Sequence, residues 1–411
     1  MRRGDGEGQR YRDGEIVVRY ESAAGPRTKV VKVPRGQTVA TAARAWRNRP
    51  GVLSATANYV ARLSAWEPGD PGTANVHGGW RQLQWNLLPE TGINAPQAWS
   101  NLQTVGRPGG KGVTVAVLDT GVAYSNRGRF RRSPDLAAHR FVRGWDFVGN
   151  DPYPNDDNGH GTHVASTIAE NTGNGYGLTG IAYGVRLMPV KVLDRSGEGD
   201  SDRISRGIRF AANRGAQIIN LSFEFPSDIT RQQIPNILDA LRYARRKGVL
   251  VVGASGNAAA AAVAYPARSS NVMSVGATTQ HGCQADYSNE GQDLDIVAPG
   301  GGVDAALDGD PLCRPEDPPG LDIFQVTFSG SVRRFGVPDG YIGTSMAAPH
   351  VSATAALVIA SGILGPKPKP SAIERRLMLT ARDLGPPGKD NHYGWGLLDA
   401  AKATDPAVPV T

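Results

Sequence analysis

The sequence predicts an α/β protein: a three-layer domain with a mostly parallel central sheet, preceded by a small α+β domain. Three observations predict it. From Gly112 onward, short continuous apolar runs recur, which suit strands buried on both faces of a parallel sheet. Segments with helical spacing lie between several of these runs, as in alternating β and α units. Ahead of them, residues 1–63 follow another rhythm, two β-rich runs, an Ala-rich helical stretch and a third β-rich run.

Taken in order, Glu15-Ile16-Val17-Val18-Arg19-Tyr20 alternates and reads as a strand. Lys29-Val30-Val31-Lys32-Val33 reads as a second strand. Residues 38–47, with Trp46, read as a helix that Pro50-Gly51 ends, and residues 52–63 return as a strand. A unit of this size is near the lower limit for folding alone. Residues 67–79 are polar and rich in Gly and Pro, so 64–80 is expected to be a flexible linker holding a cleavage site. The large domain then takes residues 81–405, and 406–411 form a tail. Its strands are expected at 113–118, 187–192, 217–221, 249–252, 272–275 and 294–297, with helices at 164–169, 201–213 and 230–246. Residues 301–342, with a strand-like Phe324-Gln325-Val326-Thr327-Phe328, read as a surface insertion.

Composition narrows the function. No run of about 18 apolar residues exists, so no membrane span or membrane partner is expected. The N-terminus lacks the apolar segment of a signal peptide, so either one was removed or the protein stays inside the cell. The net charge is +7 and the pI about 9.4, but the arginines are scattered (Arg2, Arg3, Arg10, Arg12, Arg127, Arg129, Arg131, Arg132). They form no recognisable nucleic-acid module, so a solvated surface accounts for them better. Cys283 and Cys313 are too few for a disulfide framework; they make either one bridge in an oxidising compartment or none.

The chemistry concentrates in three places. Gly343-Thr344-Ser345-Met346-Ala347-Ala348-Pro349-His350 puts a serine at the start of a long apolar helix pattern. There the free backbone N–H groups and the positive dipole end favour a developing oxyanion. Pro349 fits the first turns, which have no N–H partner to lose. Asn158-Gly159-His160-Gly161-Thr162-His163 puts His160 at a helix start, between glycines that allow close approach. The two histidines lack a third ligand and the Glu of a zinc protease, so His160 reads as a base and His163 as structural. Asp119-Thr120-Gly121 ends a buried strand, where reactive groups of parallel sheets collect. In this chain order an aspartate can orient the imidazole, a histidine can act as base and a serine as nucleophile.

With these motifs the chain resembles the subtilisin-like serine protease (subtilase) family, over roughly residues 84–405. The resemblance opens with Gln84-Trp85-Asn86-Leu87 and Ile93-Asn94-Ala95-Pro96-Gln97-Ala98-Trp99 and closes with Tyr393-Gly394-Trp395-Gly396-Leu397-Leu398-Asp399-Ala400. It implies a triad of Asp119, His160 and Ser345, with Asn257 as the side-chain oxyanion donor and the Ser345 N–H as the second. It implies substrate binding by Leu221, Ser222, Phe223 and Glu224 and by Ala254, Ser255 and Gly256. Glu224 stands where the family has a small residue, so it either attracts a basic side chain or faces solvent. The loop 258–264 also departs from the family's glycine-rich pattern. Structural calcium is implied at Asp135, with Asn171 and Asn174 offering oxygen ligands; a plain Asx/Gly turn would look similar. No organic cofactor is implied. The N-terminal unit is similar in position and element order to the family's propeptide, an intramolecular chaperone and inhibitor, although a permanent accessory domain fits too. The expected protein is a secreted, monomeric, self-processing serine endopeptidase acting on proteins and peptides. Esterase or peptide-ligase chemistry on the same fold, or a non-catalytic binding protein, are the alternatives.

Overall fold

The computed structural model describes residues 11–59, 66–136 and 141–409. The chain divides into two compact units, 1–64 and 65–411. Arg2, Arg3 and Arg10, and the last part of the strand expected to run to residue 63, lie outside the described residues.

The first unit follows the expected order. Strands β1 (Tyr11–Tyr20) and β2 (Arg27–Lys32) are followed by helix α1 (Val39–Arg47) and strand β3 (Val52–Tyr59). The strands form an antiparallel sheet ordered β2-β1-β3. Alternation along β1 sends Ile16 and Val18 to one face, where they meet Ala42 and Ala43 of α1 and Ala55 of β3. Thr38 caps the helix by accepting the Thr41 N–H.

The second unit holds a seven-stranded sheet. Its strands are β4 (Thr114–Asp119), β5 (Trp145–Asp146), β6 (Arg186–Lys191), β7 (Ile218–Leu221), β8 (Leu250–Ala254), β9 (Met273–Thr278) and β10 (Ile296–Pro299). They are all parallel, in the order β10-β9-β8-β7-β4-β6-β5. One face carries α4 (Ser201–Asn213) and α5 (Pro235–Arg246). The other carries α2 (Ala95–Thr104), α3 (His160–Ala169), α6 (Thr344–Ser361), α7 (Pro370–Thr380) and α8 (Ala400–Thr404). The pleat sorts the strands between the two cores: Val115 and Val117 join the α3/α6 side, Ala116 and Leu118 the α4/α5 side. Strand order reverses at β4, whose neighbours are β7 and β6. A crevice opens beyond the strand C-termini at such a switch point.

Two expectations need correction. Residues 66–80 are not a free linker. Trp80 and Asp70 are fully buried, and Trp66 packs against Trp99 and Tyr183. Asp70 accepts the backbone N–H groups of Gly173 and Asn174 at 2.8 and 3.0 Å, tying the stretch into the second unit. Nor is 301–342 a surface insertion throughout. Ile323, Gln325, Val326 and Thr327 are buried along α3, and only Thr327–Phe328 (β11) of the expected strand pairs, with Phe335–Gly336 (β12). The buried part satisfies the helix: Ser166 Oγ donates to the Val326 carbonyl and Thr327 Oγ1 to the Gly159 carbonyl. Cys283 and Cys313 form a disulfide 30 residues apart in sequence, closing this segment onto the sheet. A loop of that size stabilises by roughly 3–4 kcal/mol in the chain-entropy account.

Candidate active site

Asp119 is the last residue of β4 and is fully buried. Its Oδ1 accepts the Thr120 N–H at 2.7 Å and lies 2.8 Å from His160 Nδ1. A carboxylate can only accept here, so Nδ1 carries the hydrogen and Nε2 keeps its lone pair. Burial works against the imidazolium, but the Asp119 charge and hydrogen bond, with help from Asp156, outweigh it, and the His160 pKa is raised.

His160 is the first residue of α3, and glycine at 161 is what lets it reach β4. A Cβ on Gly161 would stand 2.2 Å from the Gly121 carbonyl oxygen and 3.0 Å from Asp119 Cβ. The helix start is held by Asp156, which sequence reasoning missed. One oxygen accepts the N–H groups of Asn158 and Gly159 and the Thr120 hydroxyl; the other accepts the Thr162 N–H and hydroxyl. Asp-Asp-Asn-Gly before a helix was the available signal, because a carboxylate there can satisfy orphan N–H groups.

His163 is structural, as expected. Its Nε2 faces the Ile323 carbonyl at 2.8 Å and its ring stacks on Tyr341, with centroids 4.1 Å apart. Burial pushes its pKa down to about 3, so it stays neutral. His350 is likewise buried, with its pKa pushed down to about 4.

Ser345 is the second residue of α6, among the first N–H groups of the helix. Its hydroxyl donates to the Ser222 carbonyl at 3.1 Å, and its own carbonyl accepts the Ser222 hydroxyl at 2.8 Å. Pro349 was expected in the first turns but lies further inside α6, four residues after Ser345. It has no N–H to give the Ser345 carbonyl. That carbonyl is therefore free for Ser222, which Asn220 Nδ2 and, through Asn220, Ser352 also hold. A helix interruption thus fastens the serine to the end of β7.

Asn257 follows β8. Its Oδ1 accepts the Thr344 N–H at 2.8 Å and the Thr344 hydroxyl at 3.0 Å. This fixes the amide so that Nδ2 is left to donate. A cavity of about 380 Å³ is lined by His160, Ser345, Asn257, Ser222, Phe223, Glu224 and Ala254, among others. The expected substrate residues Leu221, Ser255 and Gly256 do not line it. Leu221 faces the α4/α5 core, and Ser255 is buried with its hydroxyl on the Asn289 carbonyl. Glu224 is exposed, as the solvent-facing alternative expects, and no cation pairs with it among the described residues. Both of its oxygens accept the Asn257 N–H, at 3.1 and 3.0 Å.

At the expected calcium position, Asn174 Nδ2 donates to Asp135 Oδ1 at 2.7 Å, while Asn171 meets Asp135 only through its backbone N–H. Asn174 Oδ1 takes the Tyr176 N–H. The loop 170–178 brings together three buried carboxylates, Asp70, Asp135 and Glu170, with no Lys or Arg paired to any of them among the described residues. Among the described residues Glu170 Oε2 is buried without a hydrogen-bond partner. Burial raises all three pKa values, that of Asp135 to about 8. Among the described residues no three His, Cys, Asp or Glu side chains already converge on one metal position. The donor set is all oxygen and lacks positive charge, which fits a hard divalent cation.

The profile of the Subtilase family matches residues 110–396. Subtilisin Savinase of Lederbergia lenta is 40% identical over 296 residues, 72% of this chain and 91% of that protein. The alkaline protease of Alkalihalobacillus alcalophilus is also 40% identical over 296 residues, but the chain spans only 65% of its length. The thermophilic serine proteinase of a Bacillus species is 33% identical, covering 85% of this chain and 73% of the relative. Among solved structures, a protease of Pseudoalteromonas arctica superposes with a TM-score of 0.65 at 28% identity, over 82% of this chain and 99% of the other.

Proposed function

The chain belongs to the subtilase family of serine endopeptidases, and from that premise we propose that Asp119, His160 and Ser345 are its catalytic triad and Asn257 its oxyanion donor. The observation that carries this is the buried Asp119 fixing His160 by Nδ1, with Nε2 free in a cavity shared with Ser345. The Ser345 hydroxyl turns from the Ser222 carbonyl toward His160 Nε2 and attacks the peptide carbonyl. His160 takes the proton and returns it to the leaving amine, and water then releases the acyl group. The Asn257 amide and the Ser345 N–H receive the oxyanion. Labelling by a fluorophosphonate, lost in Ser345→Ala, tests the assignment.

Asn257→Ala is expected to lower kcat by roughly 10²–10³ while KM changes little, since the lost bond forms only in the transition state. A parallel rise in KM would argue that Asn257 only supports the groove.

The N-terminal unit is a propeptide: it has its own small core and precedes the matched region. The cut falls before Asp70, because cleavage between Asp70 and Trp80 would release a carboxylate that holds the loop 170–178. The start of the 64–80 window lies outside the described residues. Mass spectrometry of the purified protein over time reads both the cut and its dependence on Ser345. The disulfide supports action outside the cell. No helix among the described residues is long and apolar enough to cross a membrane.

Calcium would be held at the loop 170–178 by Asp135 and Glu170, with Asn174 beside them. It would supply charge neutralisation to the buried carboxylates and take no part in the chemistry. The sign follows from the raised carboxyl pKa values. A buried acid raised to about 8 contributes stability below its ordinary 3.8 and loses it as pH rises through 8. In EGTA the melting temperature is therefore expected to fall from pH 4 to pH 8, and millimolar Ca²⁺ to restore it at the upper end. A melting curve indifferent to Ca²⁺ at pH 8 would remove the ion from this loop.

A further inference from the structure

We propose that Glu224 makes this cavity select a cationic side chain on the residue whose carbonyl is attacked. The inference rests on the triad and oxyanion assignment above and adds the substrate class.

Glu224 follows β7 by three residues and turns its carboxylate onto the Gly256-Asn257 turn after β8. The Asn257 N–H reaches both carboxylate oxygens, and Oε1 is also 3.5 Å from Asn257 Nδ2, the oxyanion donor. Glycine at 256 makes room for it: a Cβ there would stand 2.1 Å from Glu224 Oε2. The carboxylate is thus built into the wall beside the oxyanion position, and it carries an uncompensated charge. It has no ion-pair partner among the described residues, and neither Lys nor Arg lines the cavity. Partial desolvation raises its pKa against the pull of the Asn257 bonds.

Two consequences follow when a substrate enters. The scissile carbonyl oxygen goes to Asn257 Nδ2, so the side chain on the same residue emerges beside Glu224. The oxyanion then forms next to a standing negative charge, and like charges this close repel even where solvent screens them. A neutral side chain leaves that repulsion in place. A lysine or arginine side chain cancels it and gains a charge-assisted bond, using acceptor sites the single Asn257 N–H does not fill. Selectivity comes from attraction to the cation and from a penalty on neutral competitors.

The test is a series of peptide anilides with Arg, Lys, Leu or Phe at the cleaved position, on the self-processed enzyme and on Glu224→Gln. Gln keeps the size and the acceptor for Asn257 and removes only the charge. The wild type is expected to favour Arg and Lys over Leu and Phe by tenfold or more in kcat/KM. In Glu224→Gln, Arg and Lys should fall at least tenfold while Leu and Phe rise severalfold. A merely structural role would lower all four together, and that result would overturn the proposal, as would a wild type indifferent to the cation. As a second measurement, benzamidine should slow fluorophosphonate labelling of the wild type and leave Glu224→Gln unaffected; equal protection of both would count against it. Labelling at Ser345 without a basic preference sinks only this inference, whereas no labelling sinks the triad assignment with it.

Discussion

Ser345→Ala is expected to lower kcat by about 10⁶, with the N-terminal unit left uncut in the same preparation. The size follows from how the group works. Once the nucleophile is gone, neither His160 nor Asp119 has a proton to move, so the three residues fail as one. What survives is binding and the oxyanion donors, worth about 10³–10⁴ over water. The substitution is mild structurally. The Ser345 carbonyl still accepts the Ser222 hydroxyl, and the helix start keeps the Thr344–Asn257 bonds. Only the bond from Ser345 Oγ to the Ser222 carbonyl is lost, about 1 kcal/mol. Turnover of an anilide, fluorophosphonate labelling and intact mass read the outcome independently. Retention of more than one part in 10³ of kcat would mean that another group attacks the substrate.

The legible parts of the chain were those that short-range physics writes plainly. Runs such as Val115-Ala116-Val117-Leu118 announce strands covered on both faces, and β4 and β6 to β10 each overlap an expected run. Asp119, His160 and Ser345 stood out because each ends or opens an element. The strand β5 escaped because its two residues borrow their pairing from β6. The packing of 66–80 escaped because polar, Gly-rich composition looks like a linker whether or not something receives it; Trp66 and Trp80 were the clue that it is received. Asp156 escaped for a different reason. It touches no substrate, and its value lies in acceptor bonds to groups that only the folded turn brings within reach. Glu224 was visible as a departure from a small residue, but its grip on the Asn257 N–H belongs to the tertiary structure.

Asp119→Asn is expected to lower kcat by about 10⁴, the size this change has in serine proteases of another fold. The loss of charge removes what holds the His160 hydrogen on Nδ1. An asparagine amide can donate to the ring, which then keeps its hydrogen on Nε2 and cannot accept the Ser345 proton. The side chain has little freedom to avoid this, because α3 closes on it through Gly161. The pH profile separates this account from damage to the fold. In the wild type the Asp119 charge and bond more than offset burial, so the acid limb of kcat/KM should lie above the ordinary imidazole value of 6.5, with activity rising as His160 loses its proton. In Asp119→Asn the burial remains and the main raising charge is gone. The residual activity should therefore show its acid limb shifted to lower pH, while a partly unfolded enzyme would lose amplitude with its limb unmoved. A limb at the same pH in both proteins would mean that the charge facing His160 during turnover is not Asp119, and the orienting role would pass to Asp156, the other carboxylate that raises the His160 pKa.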